Sequence, residues 1–251
     1  MRLAVVSDIH ANLEALQAVL QDAEARGAEG YVGLGDFIGF NGDPADCVRL
    51  VRPRLLLAVR GNHEQALQQR GFFGVPLYES MIEKTGEMLS PEQRQWLSRL
   101  PLKAAWHHCL WVHASPSSET PWRRLSSRRA VEEAFASFQE TVCFFGHTHR
   151  AAIFCQSGAR IQQLERCPDA EGTCHVALEP GHRYLINPGS VGQPRDGDWR
   201  ASYLLFNTEA RELTFRRVLY RAEQAAAKIA RTGLPEHFAR ALKEGSSPTG
   251  D

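Results

Sequence analysis

Five short segments carry the residue types that could do chemistry: Ser7-Asp8-Ile9-His10, Gly35-Asp36, Gly61-Asn62-His63-Glu64, Val112-His113 and Gly146-His147-Thr148-His149. A mixture of imidazole, carboxylate and amide oxygen suits borderline divalent metals such as Mn, Fe, Co, Ni or Zn, whereas an all-oxygen set would suit Mg or Ca. Asp8, Asp36, Asn62, His10, His113, His147 and His149 are too many ligands for one tetrahedral ion. They are about right for two ions bridged by a carboxylate. Two metals about 3.5–4 Å apart clamp a phosphoryl group, polarise its oxygens and hold a bridging hydroxide for in-line attack.

The elements that must position these residues follow from hydrophobic periodicity. Strands are expected at Leu3–Ser7, Tyr31–Leu34 and Leu55–Val59, with helices between them at 13–20 (Asn12 as cap, Gly27 as stop) and around Cys47–Val51. Such strand–helix–strand units favour parallel pairing with right-handed crossovers. A helical middle spans Tyr78–Arg99, with Ser90-Pro91-Glu92-Gln93 as a start signal. Strands then follow at 102–106, 110–113, 142–145, near Ile153, Ile161 and Val176, and at 184–186, 202–206 and 213–218. Helices are expected at Arg128–Phe138, Ala222–Arg231 and Pro235–Lys243. Every chemical segment falls where an expected strand ends, the edge at which α/β sheets bind ligands. If Asp8-x-His10 and His147-x-His149 are extended, residues two apart face the same side, so each pair reaches one site while Ile9 and Thr148 point elsewhere. The same alternation turns His63 away from Asn62. Each segment alone reads equally well as a capped turn; their order on alternating strands is what gives the set its meaning.

Composition bounds the answer. The chain has 251 residues, 43% of them hydrophobic, which supports one large domain over residues 1–244 with a frayed tail at 245–251. Lys plus Arg and Asp plus Glu both number 29, so the formal net charge is zero. That argues against a polycationic nucleic-acid binder while leaving room for a local basic groove. The apolar run Leu3-Ala4-Val5-Val6 is too short for a signal-peptide core of roughly 7–15 residues, and no run approaches the ~20 of a membrane helix. A cytoplasmic protein without a membrane partner is the expectation, and the six Cys do not read as a disulfide framework.

The five segments resemble the calcineurin-like metallophosphoesterase superfamily, a likeness that runs from Met1 to about Phe206. Within it, Val59-Arg60-Gly61-Asn62-His63 and Asn187-Pro188-Gly189-Ser190-Val191-Gly192-Gln193-Pro194-Arg195 are similar to the small prokaryotic phosphodiesterase, or diadenosine-tetraphosphatase-like, branch. The resemblance implies a four-layer α/β/β/α sandwich of two mixed sheets flanked by helices. It also implies two divalent transition-metal ions, Mn foremost. Asp8, His10, Asp36 and His149 would hold the first ion; Asp36 would bridge to a second, completed by Asn62, His113 and His147. His63 would stand beside the metals without ligating them, protonating the leaving alkoxide or orienting the phosphoryl group. Two departures stand out. Glu64 replaces the branch's usual Asp and matches the protein Ser/Thr phosphatases, yet Gly39 occupies the position where those enzymes carry the Asp that orients the catalytic His.

The expected activity is hydrolysis of a phosphodiester or a small nucleotide substrate. The alternatives are a phosphomonoesterase acting on small molecules or phosphoproteins, and a catalytically silent scaffold of the same fold. Arg60, Arg195, Arg123 and Arg124 are candidate phosphate contacts, although Arg123, Arg124, Arg128 and Arg129 also read as a solvated helix start. Cys155, Cys167 and Cys174 beside His175 invite a zinc site, but the spacing lacks the usual short gap, which favours a surface hairpin with free thiols.

Overall fold

The computed structural model describes residues 1–166 and 168–248. In chain order the first half comprises β1 (Arg2–Val6), α1 (Leu13–Ala25), β2 (Gly30–Gly33), α2 (Pro44–Val51), β3 (Leu55–Ala58), α3 (Asn62–Gln68), α4 (Pro76–Glu87) and α5 (Pro91–Ser98). The second half adds β4 (Lys103–Trp106), β5 (Cys109–Val112), α6 (Arg128–Ala136), β6 (Val142–Phe144), β7 (Ala152–Ser157), β8 (Arg160–Gln163), β9 (Cys174–Ala177), β10 (Arg183–Asn187), β11 (Ala201–Asn207), β12 (Glu212–Val218), α7 (Ala222–Lys228) and α8 (Glu236–Glu244).

The strands form two six-stranded mixed sheets, ordered β3-β2-β1-β11-β12-β9 and β4-β5-β6-β10-β7-β8. β1, β2 and β3 run parallel, as do β5, β6 and β10, so the ends of β1, β2, β5 and β6 deliver their following loops to one edge. Leu3, Val5, Val32, Trp111, Phe144 and Ile186 fill the space between the sheets. The opposite faces of β1 and β11 (Ala4, Val6, Tyr203, Leu205) pack under α1 and α2, and β6 packs under α6 through Cys143, Val131 and Phe135. Helix, sheet, sheet and helix make the four-layer α/β sandwich. No helix among the described residues is long and apolar enough to cross a membrane.

Local signals explain the boundaries. Asn12 Oδ1 caps α1 by accepting from Ala15 N, and Ser90 with Gln93 forms a reciprocal capping box on α5. Cys155 and Cys174 differ from expectation: both are buried between the sheets, not displayed on a surface hairpin, because their strands turn those positions inward. Cys167 lies outside the described residues. Of the expected tail, Gly245 caps α8 in the left-handed region, and Gly197 N donates to its carbonyl oxygen.

Asp22 ties α1 to the sheet. Its carboxylate accepts from Tyr203 Oη at 2.7 Å and from Arg216 Nε at 3.0 Å. Burial alone would raise its pKa, but these donors hold it below the usual 3.8. Asp22→Asn is therefore expected to cost about 1–2 kcal/mol near neutrality. A depressed folded-state pKa stabilises above the unfolded value and ceases to do so as pH falls through the folded one. Melting curves of the two proteins should thus separate at pH 7 and converge below about pH 3.8; a gap that does not depend on pH would refute this role.

Candidate metal centre

Three of the loops that assemble the site, after β1, β2 and β6, place ligand-type residues in the left-handed backbone region. Asp8, His10 and Asp36 have φ of 52°, 47° and 52°, and His147 and His149 have 63° and 59°. Non-glycine residues seldom adopt the left-handed region, and they cluster at functional sites when they do. The expected strand alternation therefore does not hold, although its outcome does. Asp8 with His10, and His147 with His149, converge because left-handed turns aim them, not because an extended strand does. Gly146 permits the close approach: a Cβ there would lie 1.9 Å from Ser7 Oγ and 2.7 Å from Asp8 Oδ2.

Nor do Asn62 and His63 sit on an extended segment. They open α3, whose first turn Glu64 caps. The Glu64 carboxylate accepts from Gly61 N (2.9 Å) and reaches across to Asp36 N (2.8 Å) and Phe37 N (2.9 Å). In return, Asp36 Oδ1 accepts from His63 N at 2.9 Å. Glu64 is thus the clamp that fixes the β2 loop to the start of α3. The Gly-Asn-His-Glu string was its signal, legible only once a helix start is recognised.

Three overlapping groups, Asp8–His10–His149, His10–Asp36–His63 and Asp36–His113–His147, each place their ligand atoms within 4.8 Å of one another. Asp36 Oδ2 lies 3.5 Å from His10 Nε2 and 3.4 Å from His113 Nε2, so one carboxylate serves both sides. Asp8 Oδ1 is 3.4 Å from His149 Nε2, and Asn62 Oδ1 is 2.9 Å from His113 Nε2.

The donor set fits a divalent metal on two counts. His10 Nδ1 donates to Ile38 O, His113 Nδ1 to Leu34 O and His149 Nδ1 to Gln193 O. For His10 and His149, both held neutral, this assigns the tautomer and leaves the Nε2 lone pair facing the site, the usual outer-shell arrangement of a ligating histidine; His113 has the same backbone anchor at Nδ1. His10 and His149 consequently present two neutral Nε2 atoms to each other at 3.1 Å, which is repulsive without a cation near both. Charge gives the second count. Burial holds His10, His147 and His149 well below the usual imidazole range, in the form a ligand needs. Burial pushes Asp8 up to about 6, with Asp36 adding to the rise. His113 alone is raised, to about 9, by Asp36 and Asp8 against the cost of its own burial. Two buried carboxylates thus demand positive charge from their surroundings.

The loop after β10 braces the site from behind. Ser190 Oγ donates to Asp8 O, and Asn187 Nδ2 donates to Gly146 O and Thr148 Oγ1. His63 is buried and its pKa is lowered to about 4 by that burial; its Nδ1 finds no hydrogen-bond partner among the described residues. A cleft of about 190 Å³ opens over Asp36, Asn62, His63, His147 and His149, walled by Phe40, Phe73, Tyr78, Arg124 and Arg195. Among the candidate arginines, Arg124 and Arg195 therefore reach the cleft. Arg60 does not: its guanidinium donates to Leu100 O, Ser98 O and Gln65 Oε1, so it anchors the chain after α5. Arg123 also turns away, pairing with Glu133, and Arg128 and Arg129 are exposed with helical partners.

The comparisons with known proteins agree with this geometry. A model of the calcineurin-like phosphoesterase superfamily domain matches residues 1–211. An uncharacterized protein of Methanocaldococcus jannaschii is 34% identical over 254 residues, spanning 96% of this chain and 96% of its own. The crystal structure of a metallophosphoesterase from Sphaerobacter thermophilus is similar with a TM-score of 0.83 at 35% identity, covering 98% of this chain and 100% of that one. A hypothetical protein of Pyrococcus horikoshii, 17% identical with a TM-score of 0.74 over 98% of this chain and 99% of its own, shares the fold.

Proposed function

The chain belongs to the calcineurin-like phosphoesterase superfamily, and from that premise we propose that it is a dinuclear metal-dependent phosphodiesterase acting on small phosphodiester or nucleotide substrates. The observation that carries the reading is the sharing of Asp36 between two histidine-rich groups. Asp8, His10, Asp36 and His149 would hold one ion, and Asp36, Asn62, His113 and His147 the other. Two divalent ions there, with Mn the first to test, would polarise the phosphoryl oxygens and activate the attacking water.

The residues of the chain supply the rest. Outer-shell carbonyls at Leu34, Ile38 and Gln193 hold the imidazoles in the ligating tautomer. Arg124 and Arg195 offer cations at the cleft walls for the non-bridging oxygens. His63 Nε2 lies 3.9 Å from Asp36 Oδ2, close enough to orient the phosphoryl group or protonate the departing oxygen. A diester is favoured because the surroundings extend beyond the phosphoryl-sized cleft: Phe73 stands beside His63 at 5.1 Å between ring centroids, and Arg124 lines a neighbouring cavity as well as this cleft.

Metal-free protein supplied with Mn should hydrolyse bis-p-nitrophenyl phosphate faster than p-nitrophenyl phosphate, and a chelator should abolish both rates. No turnover above background with any of Mn, Fe, Co, Ni or Zn would end the enzyme reading. A monoester rate well above the diester rate would reassign the protein as a phosphatase.

A further inference from the structure

Beside the metal cleft lies a larger cavity of about 540 Å³ that the chemistry above does not use. Ligand sites typically run ~300–1,000 Å³, so this one is large enough for a bulky organic group, whereas the 190 Å³ cleft holds little beyond a phosphoryl group. Arg124 lines both spaces. Thr148, whose two neighbours His147 and His149 face the metals, lines the cavity instead. The two spaces are therefore consecutive along the His147-Thr148-His149 turn.

The lining of the cavity combines aromatic and aliphatic side chains with hydroxyl, amide and guanidinium groups, Arg150 among them. Val131, Phe145 and Phe154 are among the residues that line it, and the two phenylalanine rings lie 28° from parallel with centroids 6.4 Å apart. Ser126 and Gln163 put hydrogen-bonding groups at its edge. Aromatic and aliphatic surface, hydrogen-bonding groups and Arg124 shared with the phosphoryl site suit a nucleobase-sized aromatic group, itself polar at its edges, attached through its sugar to phosphorus. His63 lines the cleft and is not among the residues that line this cavity.

We propose that this cavity is the subsite for the ester group that stays on phosphorus, so that the preferred substrate is a nucleotidyl phosphodiester. In that arrangement its departing group lies over His63 and its nucleoside lies in the slot past Arg124. The assignment rests on the phosphodiesterase reading given above.

The test compares two diesters with one leaving group: thymidine 5′-(p-nitrophenyl phosphate) and methyl p-nitrophenyl phosphate. In each, water attacks phosphorus, the P–O bond to p-nitrophenol breaks, and the second ester group remains. Wild-type protein with Mn should favour the thymidine ester by about tenfold or more in kcat/KM. Ser126→Trp and Gln163→Trp, both at exposed positions, place an indole at the slot and should bring that ratio towards one. Calorimetric titration of thymidine 5′-monophosphate gives a readout without turnover: the wild type should bind it more tightly than methyl phosphate, and both variants should lose the difference. If both esters are hydrolysed at similar kcat/KM in the wild type, or the preference survives both substitutions, the slot assignment is overturned while the phosphodiesterase reading stands. Hydrolysis of neither ester overturns both.

Discussion

Asp36→Asn is expected to remove metal-dependent phosphodiester hydrolysis by roughly a thousandfold or more, the loss that follows when a two-metal clamp is dismantled. Among the described residues, Asp36 is the carboxylate that two of the candidate ligand groups share, with Oδ2 at 3.5 Å from His10 Nε2 and 3.4 Å from His113 Nε2. The amide keeps the shape but withdraws the charge, and it turns either an N–H₂ or a weak carbonyl toward the ions. Asp8→Asn should be milder, since Asp8 belongs to one candidate ligand group, with His10 and His149, whereas Asp36 belongs to two. Metal analysis after reconstitution should fall from two ions per chain to one or none for Asp36→Asn. The rise in melting temperature on adding Mn should shrink with it, because a ligand stabilises only in proportion to its binding. Two retained ions with turnover within tenfold of wild type would remove Asp36 from the bridging role.

The contrast between Asp36 and His63 shows how much of the site could be read from the chain. The strand ends were legible because β1, β2, β5 and β6 are short, almost wholly buried runs whose polar residues begin abruptly. The ligand set was legible because those ends carry its residue types. What alternation could not supply was direction. Left-handed φ at Asp8, His10, Asp36, His147 and His149 sets the side-chain vectors, and no periodicity encodes a single-residue turn. Helix α3 was hidden for a related reason: Asn62-His63-Glu64 looks like loop chemistry, and its capping carboxylate spends two of its three bonds on the distant Asp36 and Phe37. The role of the C-terminal helices was hidden by distance along the chain. Phe238 of α8 stacks on Phe40 at 6.0 Å and meets Tyr78 edge-on, so residues beyond the matched 1–211 segment support the cleft wall. Lys228 bonds Glu14 and Asp43, pinning the same loop from α7.

That loop also contains Gly39, and here the departure noticed in the sequence acquires a cause. At φ 87° the residue favours glycine, and a Cβ built on it would sit 2.1 Å from His63 Nδ1. The space used elsewhere by an orienting carboxylate is taken by the imidazole itself. His63 is held instead by ring contacts: His10 at 4.6 Å, Phe40 at 4.7 Å and Phe73 at 5.1 Å between centroids. Gly39→Ala should therefore act as a His63 substitution at a distance. It should lower kcat by about 10²–10³, the range of a lost acid or positioning group, and destabilise the fold by only about 1–2 kcal/mol. Metal content should stay at the wild-type value, since the ligands do not depend on Gly39 for contact. If His63 protonates the leaving oxygen, both Gly39→Ala and His63→Ala should slow a phenyl ester more than a p-nitrophenyl ester, whose anion departs unaided. A double-mutant cycle gives the sharpest reading: Gly39→Ala introduced into His63→Ala should cost less than about twofold more, because a residue that works only through another has nothing left to disturb. Additive losses would show that Gly39 serves the site by some route other than the histidine it touches.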